Sequence, residues 1–336
     1  MKIKGRELGN GKPPYIVAEI GANHGGSLDR CLELIRAAKE AGADAVKFQA
    51  YTADTITIKS NLHYFWINDG PWQGQNLYDL YKKCETPFEW FPVLAAYADY
   101  VGITWFASVF DPSSVDMLEK LDCPAYKIAS FEIVDLPLIQ YAASKRKPML
   151  ISTGMASPAE TQQAIGACWD GGNSNVICLH CVSGYPSSPK DYNLLHTQYS
   201  HGVSDHTTTL EVPIASTALG MQMIEKHFCL DGCCTDDAKF SLTPDKFKEM
   251  VQAVHNTWQA LQPTENKAVE TSQRNFRRSL YVVKEVAKGE LFTPENVRSI
   301  RPGGGLPPAD IDKVIGKRAK KYLSAGMPMQ WEMVEG

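Results

Sequence analysis

Short apolar stretches alternate along the chain with longer segments whose apolar side chains recur every three or four positions. The eight short stretches are residues 15–20, 45–49, 103–108, 126–130, 149–153, 176–181, 201–206 and 224–228. The segments after them have the apolar stripe of a helix that packs on one side, and some carry helix start signals such as Ser157 before Pro158. Eight strand–helix units in one unbroken series predict a closed (β/α)8 barrel, the TIM-barrel fold of the α/β class.

Two parts of the chain depart from this alternation. Residues 51–88 are rich in Trp and Tyr, which fits either a lid or substrate wall at the barrel mouth or a surface excursion with its own small aromatic core. After residue 258 the pattern changes to a polar stretch and then to short strand-like segments separated by glycine turns. We therefore predict a catalytic barrel over residues 1–262, a linker over 263–275 and a small, mostly-β domain over 276–336.

Composition narrows the functional classes. The chain has 336 residues, of which 44% are hydrophobic, and its formal net charge is −4. Its scattered basic residues form no surface for a nucleic acid, and no apolar run is long enough to span a membrane. The first residues lack the apolar core of a secretory signal, so we expect a cytoplasmic protein.

The nine cysteines are an odd number spread over a long chain, which favours free thiols in a reducing compartment. Cys178 and Cys181, with Cys229, Cys233 and Cys234 further along, have a spacing that also occurs in zinc sites. Side chains three apart on a strand face opposite ways, so we interpret the first pair as structural.

Polar residues occupy one phase of several predicted strands. The outward phase of a barrel strand must be apolar in order to pack on the helices, so polar residues in the other phase point into the barrel. This pattern places the following side chains inside: Glu19, Lys47, Gln49, Lys127, Ser204, His206, Glu225 and His227. Such a set at the carboxyl ends of barrel strands is typical of a catalytic site. Lys226 falls in the outward phase, so it must be paired or reach solvent.

His206 and His227 end what we interpret as adjacent strands. Two neutral imidazoles, with water and substrate completing the coordination, would form an open metal site suited to Lewis-acid chemistry. We expect an exchangeable divalent ion there, Mn²⁺ first, with Mg²⁺ or Co²⁺ as alternatives.

Several short strings follow one another along the chain: AEIGANH (18–24), KFQAYT (47–52), YKIASFE (126–132), ISTGMA (151–156), SDH (204–206), EKHF (225–228) and RPGGG (301–305). In order and spacing they resemble the motifs of the sialic acid synthase family. The resemblance implies a TIM barrel followed by a small antifreeze-like (SAF) domain. The reaction it implies is the condensation of phosphoenolpyruvate with an acetamido-sugar aldehyde, which gives a nonulosonic acid and phosphate.

The resemblance also assigns ligand contacts to individual residues. The family's metal ligands fall on His206 and His227. Its phosphoenolpyruvate contacts fall on Lys47, Lys127, Ser130, Tyr185 and Ser204.

Acidic and aromatic positions of the family have counterparts as well. Glu19, Glu132 and Asp237 match acidic residues that hold the sugar or assist its opening, and Phe110 matches an aromatic wall. Arg301 matches an arginine that reaches into the active site of the partner subunit, which implies a domain-swapped homodimer.

Two departures from the family pattern bear on the sugar. Where many members have Ser-Thr-Pro-Phe after the third strand, residues 107–110 read Ala-Ser-Val-Phe. Where members have Asn before a Tyr-Pro pair, this chain has Ser183 and Gly184. The hydroxyls of Ser108 and Ser183 can still donate to an anion, although with shorter reach. These changes affect the choice of sugar rather than the reaction.

Further strings, namely GPW (70–72), LYDLY (77–81), ETPFEW (85–90) and DAKFSL (237–242), resemble the pseudaminic acid synthase branch. That branch implies 2,4-diacetamido-2,4,6-trideoxy-L-altrose as the acceptor, and an N-acetylneuraminate or legionaminic acid synthase is the alternative. Two more distant readings remain. One is a metal-dependent aldolase or sugar isomerase on the same barrel, against which two inward lysines favour a more anionic substrate. The other is a non-catalytic carbohydrate- or ice-binding protein.

Overall fold

The chain divides into two compact units, Met1–Gln262 and Pro263–Gly336. The computed structural model describes residues 1–9, 11–197, 200–263 and 268–336. Among the described helices, none combines the length and the apolar character needed to cross a lipid bilayer.

Eight parallel strands of the first unit close into a barrel, as predicted. They are β1 (Tyr15–Glu19), β2 (Ala45–Ala50), β3 (Thr104–Val109), β4 (Tyr126–Ile128), β5 (Met149–Ser152), β6 (Val176–Cys181), β7 (Ser200–Asp205) and β8 (Met223–His227). Each strand pairs with the next one along the chain, and β8 pairs with β1 to complete the ring. Because the strands are parallel and in chain order, all their carboxyl ends lie at one mouth of the barrel.

Helices cover the outside of the barrel and form part of the loops at its mouth. They are α1 (Leu28–Glu40), α2 (Ala53–Ile56), α3 (Leu77–Cys84), α4 (Phe91–Val101), α5 (Pro112–Lys120), α6 (Leu136–Ser144), α7 (Pro158–Asp170), α8 (Glu211–Ala218) and α9 (Pro244–Ala260). The predicted start of α7 is confirmed, since Ser157 accepts a hydrogen bond from the Glu160 amide and Pro158 opens the helix. A two-stranded hairpin, Lys2–Ile3 with Arg6–Glu7, precedes β1.

One predicted strand–helix unit is wrong in its second half. Between β6 and β7 the described residues form the 3₁₀ turns Pro189–Asp191 and Leu194–His196, and no α-helix is found there within the described residues. Pro186 and Pro189 lie in this connection, and proline lacks the amide hydrogen that a helix interior needs. In its described residues the connection therefore consists of turns.

Lys226 points away from the barrel interior and is completely buried. Its Nζ atom donates to Asp205 Oδ2 at 2.5 Å, to the Thr207 carbonyl, to Thr207 Oγ1 at 3.0 Å and to the Thr209 carbonyl at 3.2 Å. Burial lowers the pKa of Lys226, and the charge of Asp205 opposes this effect. The expected pairing is confirmed, and the pair fixes the segment that follows β7.

Removing this buried charge is expected to destabilise the barrel. Lys226→Met leaves the Asp205 carboxylate buried without its partner, which costs about 3–5 kcal/mol of unfolding free energy. Urea unfolding monitored by circular dichroism measures this change. The double variant with Asp205→Leu restores much of the lost stability, because neither charge is then left unpaired. A single-variant loss below about 1 kcal/mol, the level of an exposed ion pair, would contradict this role.

The second unit has a small core of its own. Its strands β9 (Ser279–Val282) and β10 (Val297–Ile300) are antiparallel, and a short helix, α11 (Ile311–Val314), follows them. Leu280, Phe292 and Leu323 are among its fully buried side chains. Residues 264–267 of the predicted linker lie outside the described residues. The next part forms α10 (Ala268–Gln273), a helix that the polar composition did not indicate.

Candidate active site

Four oppositely charged side chains form a buried network inside the barrel. Glu19 ends β1, Lys47 lies on β2, Lys127 on β4 and Glu225 on β8. Lys47 Nζ lies 2.8 Å from Glu19 Oε2 and 3.7 Å from Glu225 Oε1, and Lys127 Nζ lies 3.3 Å from Glu225 Oε2. All four side chains are buried. The alternation that predicted their inward direction therefore brings them together.

The two lysines differ in how their charge is balanced. Burial disfavours the charged form of Lys47, but the charges of Glu19 and then Glu225 outweigh it and raise its pKa. Burial lowers the pKa of Lys127, which Glu225 only partly offsets. The positive charge of Lys127 is thus only partly balanced by Glu225. An anionic ligand in the barrel would balance it further and raise the pKa of Lys127. Lys47 also donates to Ser108 Oγ at 3.0 Å, which places that serine in the network.

Serine hydroxyls line the barrel beside the lysines. The Gly154 amide donates to Ser130 Oγ at 3.2 Å, and a side chain at Gly154 would collide with both Ser130 Oγ and Ser183 Oγ. Ser183 Oγ is buried and has no hydrogen-bond partner within the described residues. Ser204 Oγ lies 2.8 Å from Ser152 Oγ. A buried hydroxyl without a partner is costly, so this cradle has the donors that a bound anion would use.

The imidazoles of His206 and His227 face each other across the end of β7 and β8. Their ring centroids are 5.4 Å apart. His206 Nδ1 lies 2.7 Å from the Val182 carbonyl, which only accepts, so Nδ1 carries a hydrogen, and Nε2 is the atom with a lone pair in the neutral ring. Burial lowers the pKa of His227 well below its usual value, and the positive charge of neighbours including His206 adds to this. The His227 ring is therefore neutral, and its buried Nδ1 has no hydrogen-bond partner among the described residues.

These features fit the predicted metal site. Each ring offers a nitrogen lone pair, and the contact of His206 Nδ1 with a carbonyl is the arrangement that orients metal-binding histidines. Asp237 Oδ2 lies 3.7 Å from His227 Nδ1. The described residues contain no group of three or more His, Cys, Asp or Glu side chains arranged as metal ligands. An ion held by the two imidazoles would thus take its remaining ligands from water and substrate.

Two further carboxyl groups sit at the mouth with raised pKa values. Burial raises the pKa of Glu132, on the 3₁₀ turn Ser130–Glu132, to about 7, and its Oε2 atom is buried with no hydrogen-bond partner among the described residues. Burial also raises the pKa of Asp237 to about 7, although Asp237 accepts a hydrogen bond from the Ala22 amide at 2.9 Å. Gly21, at φ +48°, leaves room for Asp237, since a side chain there would collide with the carboxylate.

Aromatic rings surround the imidazoles and the carboxyl groups. The centroid of the Tyr185 ring lies 4.2 Å from that of the His206 ring, and the centroid of the Phe240 ring lies 4.8 Å from that of the His227 ring. On another side, Tyr51 packs on Phe110 at 5.1 Å and on Tyr81 at 5.8 Å. Phe110 therefore belongs to a group of packed rings.

Matches to family models follow the two units of the chain. Residues 34–266 match the NeuB family and residues 277–335 match the SAF domain. The chain belongs to the NeuB family. Arg301 of this NeuB-family protein lies in the SAF domain, directly after β10, and its side chain is exposed. It is thus not among the residues that the barrel strands bring together.

Similar proteins include synthases of pseudaminic acid and of N,N'-diacetyllegionaminic acid. The NeuB-family protein is 41% identical over 335 residues to a pseudaminic acid synthase of Helicobacter pylori, covering 96% of this chain and 98% of that one. It is 35% identical to an N,N'-diacetyllegionaminic acid synthase of Legionella pneumophila, with 99% and 98% covered. The crystal structure of a spore coat polysaccharide biosynthesis protein from Bacillus subtilis has a TM-score of 0.65 at 32% identity, and the match covers 100% of this chain and 99% of that one.

Several residues at the site were missed by the sequence reasoning. Cys181 Sγ lies 3.9 Å from His206 Nδ1, although the cysteine was interpreted only as a core residue. Cys181 pairs in register with Ser204, which was already assigned to the inward phase, so the alternation could have found it. Tyr81 and Trp72 come from the insertion, where no periodic signal marks the inward side.

Proposed function

We propose that this NeuB-family protein condenses phosphoenolpyruvate with an open-chain acetamido sugar, giving a nonulosonic acid and phosphate. The observation that carries the proposal is the set of unsatisfied polar atoms at one barrel mouth, Ser183 Oγ, Glu132 Oε2 and His227 Nδ1, beside two buried lysines. The lysines and the serine hydroxyl can donate to an anion, whereas the carboxyl oxygen and the imidazole nitrogen require hydroxyl donors or a cation, so phosphoenolpyruvate and a sugar together would satisfy the set. We further propose 2,4-diacetamido-2,4,6-trideoxy-L-altrose as the acceptor, because the pseudaminic acid synthase is the more identical of the two relatives.

In this proposal the lysines and hydroxyls hold phosphoenolpyruvate. Lys47 and Lys127 neutralise its phosphate and carboxylate, and the hydroxyls of Ser130, Tyr185 and Ser204, together with that of Ser183, donate to the oxygens. Lys127 becomes better balanced when the anion arrives, since burial has lowered its pKa. Binding therefore uses charge that the folded barrel has already arranged.

His206 and His227 would hold a divalent ion, with Mn²⁺ the first choice and Mg²⁺ or Co²⁺ as alternatives. When bound, such an ion supplies Lewis-acid polarisation of the aldehyde oxygen of the sugar. Val182 orients His206 for this task through its carbonyl, and burial keeps His227 neutral. Glu19 and Asp237 hold the sugar hydroxyls or assist ring opening, and Tyr185 and Phe110 bound the space beside it.

Glu132 is assigned the role of general base for water. As the new carbon–carbon bond forms, positive charge develops at the phosphate-bearing carbon, and water adds to that carbon before phosphate leaves. A carboxylate that faces this centre stabilises the charge and accepts the proton of the water. The unpartnered Oε2 atom of Glu132 and its pKa of about 7 suit this exchange near neutral pH.

A domain-swapped homodimer completes the proposal, in which Arg301 of one subunit binds the sugar in the active site of the other. The exposed Arg301 side chain and the family membership support it. Arg301→Ala is then expected to raise the KM for the sugar about 10- to 100-fold, the value of a lost charge-assisted hydrogen bond, while the KM for phosphoenolpyruvate stays nearly constant. Steady-state kinetics with each substrate varied in turn measure both constants.

Arg298 provides a matched control, because it is an exposed arginine on β10 three residues away. Arg298→Ala is expected to leave both constants unchanged. An equal rise of both constants in Arg301→Ala would contradict a contact with the sugar alone.

Initial rates of phosphate release test the proposed reaction. The purified protein with Mn²⁺ and phosphoenolpyruvate is offered the altrose derivative, its stereoisomers and N-acetylmannosamine in turn. The proposal predicts the highest kcat/KM with the altrose derivative. A higher kcat/KM with N-acetylmannosamine or with another stereoisomer would instead identify the protein as an N-acetylneuraminate or a legionaminic acid synthase. No phosphate release with any acceptor would contradict the condensation.

A further inference from the structure

Trp72 lies at the tip of a short hairpin in the insertion between β2 and α4. The Ile67 amide donates to the Gln75 carbonyl at 3.0 Å, and the Gly74 amide donates to the Ile67 carbonyl at 2.8 Å. Gly70 at φ +79° and Gly74 at φ +81° flank the tip, and glycine adopts such left-handed conformations without steric cost. The tip is therefore a defined turn that presents one large aromatic side chain.

The insertion is tied to the barrel loops at the site. Its own helices are joined by a hydrogen bond of 3.0 Å from Tyr78 Oη to Asp54 Oδ1. At the end of the insertion, Lys83 Nζ lies 2.7 Å from Asp236 Oδ2, and Asp236 precedes the site residue Asp237 in the loop after β8. The hairpin thus belongs to the wall of the site, which favours the substrate-wall reading of this segment over a separate surface excursion.

Trp72 extends a row of rings that begins at the imidazoles. The centroid of its ring lies 5.8 Å from that of the Tyr185 ring and 6.1 Å from that of the Phe240 ring. Those two rings in turn pack on His206 and His227. An acceptor whose aldehyde is at the imidazoles would extend its far end along this row of aromatic rings.

Ring faces dominate this row. The centroid of the Tyr185 ring lies 4.2 Å from that of His206 and 5.1 Å from that of Phe240. Phe240 is almost completely buried and has no polar atom in its side chain. A methyl group fits such a surface, whereas a hydroxymethyl group would lose hydrogen bonds to water on entering it.

Building on the proposed function, we propose that Trp72, Tyr185 and Phe240 form the subsite for the C6 methyl group of the acceptor and select 6-deoxy sugars over their 6-hydroxy counterparts. A hydrophobic subsite of this kind discriminates a methyl group from its hydroxylated form by about 10- to 100-fold in kcat/KM. Trp72 is the specificity-determining member, because it lies furthest from the reacting groups and its loss leaves the imidazole contacts intact.

Two acceptors that differ only at C6 test the subsite: 2,4-diacetamido-2,4,6-trideoxy-L-altrose and the same sugar with a C6 hydroxyl. The unaltered protein is expected to prefer the first by about 10- to 100-fold. Trp72→Ala should reduce this ratio to about 2 or less, chiefly by lowering kcat/KM for the 6-deoxy sugar, with the KM for phosphoenolpyruvate unchanged. Trp72→Phe, which keeps an aromatic surface, should retain most of the preference.

Trp66→Ala is the matched control, since Trp66 lies in the same insertion and is 41% exposed. It should keep the ratio of the unaltered protein. An unchanged ratio in an active Trp72→Ala variant, or an equal loss for both sugars, would overturn the subsite and leave the condensation standing. Absence of turnover by the unaltered protein with both sugars would overturn the proposed function, and the subsite with it.

Discussion

Glu132→Gln is expected to lower kcat by about 10²- to 10⁴-fold, the usual contribution of a positioned general base. The amide keeps the size of the side chain but cannot accept the proton of the attacking water. The KM for phosphoenolpyruvate should change little, because the lysines and hydroxyls bind the anion. Single-turnover and steady-state rates of phosphate release measure the effect. Glu33→Gln, which neutralises an exposed carboxylate of α1, should keep the normal rate.

The pH dependence of kcat gives the same residue a second test. The carboxylate form of Glu132 exists above its raised pKa of about 7, so kcat should reach a plateau above that pH. Below it, protonation removes the base, and kcat should fall towards tenfold per pH unit. In Glu132→Gln the slope of log kcat against pH in this acid limb should decrease by one, because one titrating proton is lost. An unchanged slope would assign the limb to another group and remove Glu132 from proton transfer.

His227→Ala is expected to abolish the metal-dependent part of turnover, a loss of at least about 10²-fold, while the barrel stays folded. The His227 Nδ1 atom has no hydrogen-bond partner among the described residues, so its removal breaks no such bond that supports the fold. Rates measured after chelation and again after adding Mn²⁺ separate the metal-dependent part. Circular dichroism and urea unfolding check that the structure persists.

His201→Ala serves as the control for this substitution, because His201 lies on β7 with its side chain exposed. It should respond to chelation and to Mn²⁺ in the same way as the unaltered protein. Normal turnover of chelator-treated His227→Ala would contradict the metal role.

Much of the barrel could be predicted because its physical signals are local. A strand buried on both faces must be apolar in its outward phase, so Lys47 and Lys127 stand out as inward charges in their own short stretches. The eight predicted strands differ from the observed ones by at most two residues at either end. The turns between β6 and β7 were missed because the prediction extended a regular series over a connection that contains Pro186 and Pro189.

Other features depend on contacts between distant segments, which no local pattern encodes. The raised pKa of Glu132 arises chiefly from burial in the folded protein, which its own stretch of sequence does not indicate. Trp72 reaches Tyr185 and Phe240 only because an aperiodic insertion folds back towards the loops after β6 and β8. The spacing of Cys181 from Cys178 indicates a structural pair, whereas its register with the inward Ser204 places it at the site.

Mass spectrometry of the products made from phosphoenolpyruvate with ¹⁸O between carbon and phosphorus shows whether the protein condenses the two substrates and which bond breaks. With the altrose derivative and Mn²⁺, we expect a nine-carbon sugar acid that carries oxygen from solvent at its new keto group, and inorganic phosphate that carries the ¹⁸O label. Recovery of the label in the sugar acid, or of the acceptor without a three-carbon extension, would rule out the proposed condensation.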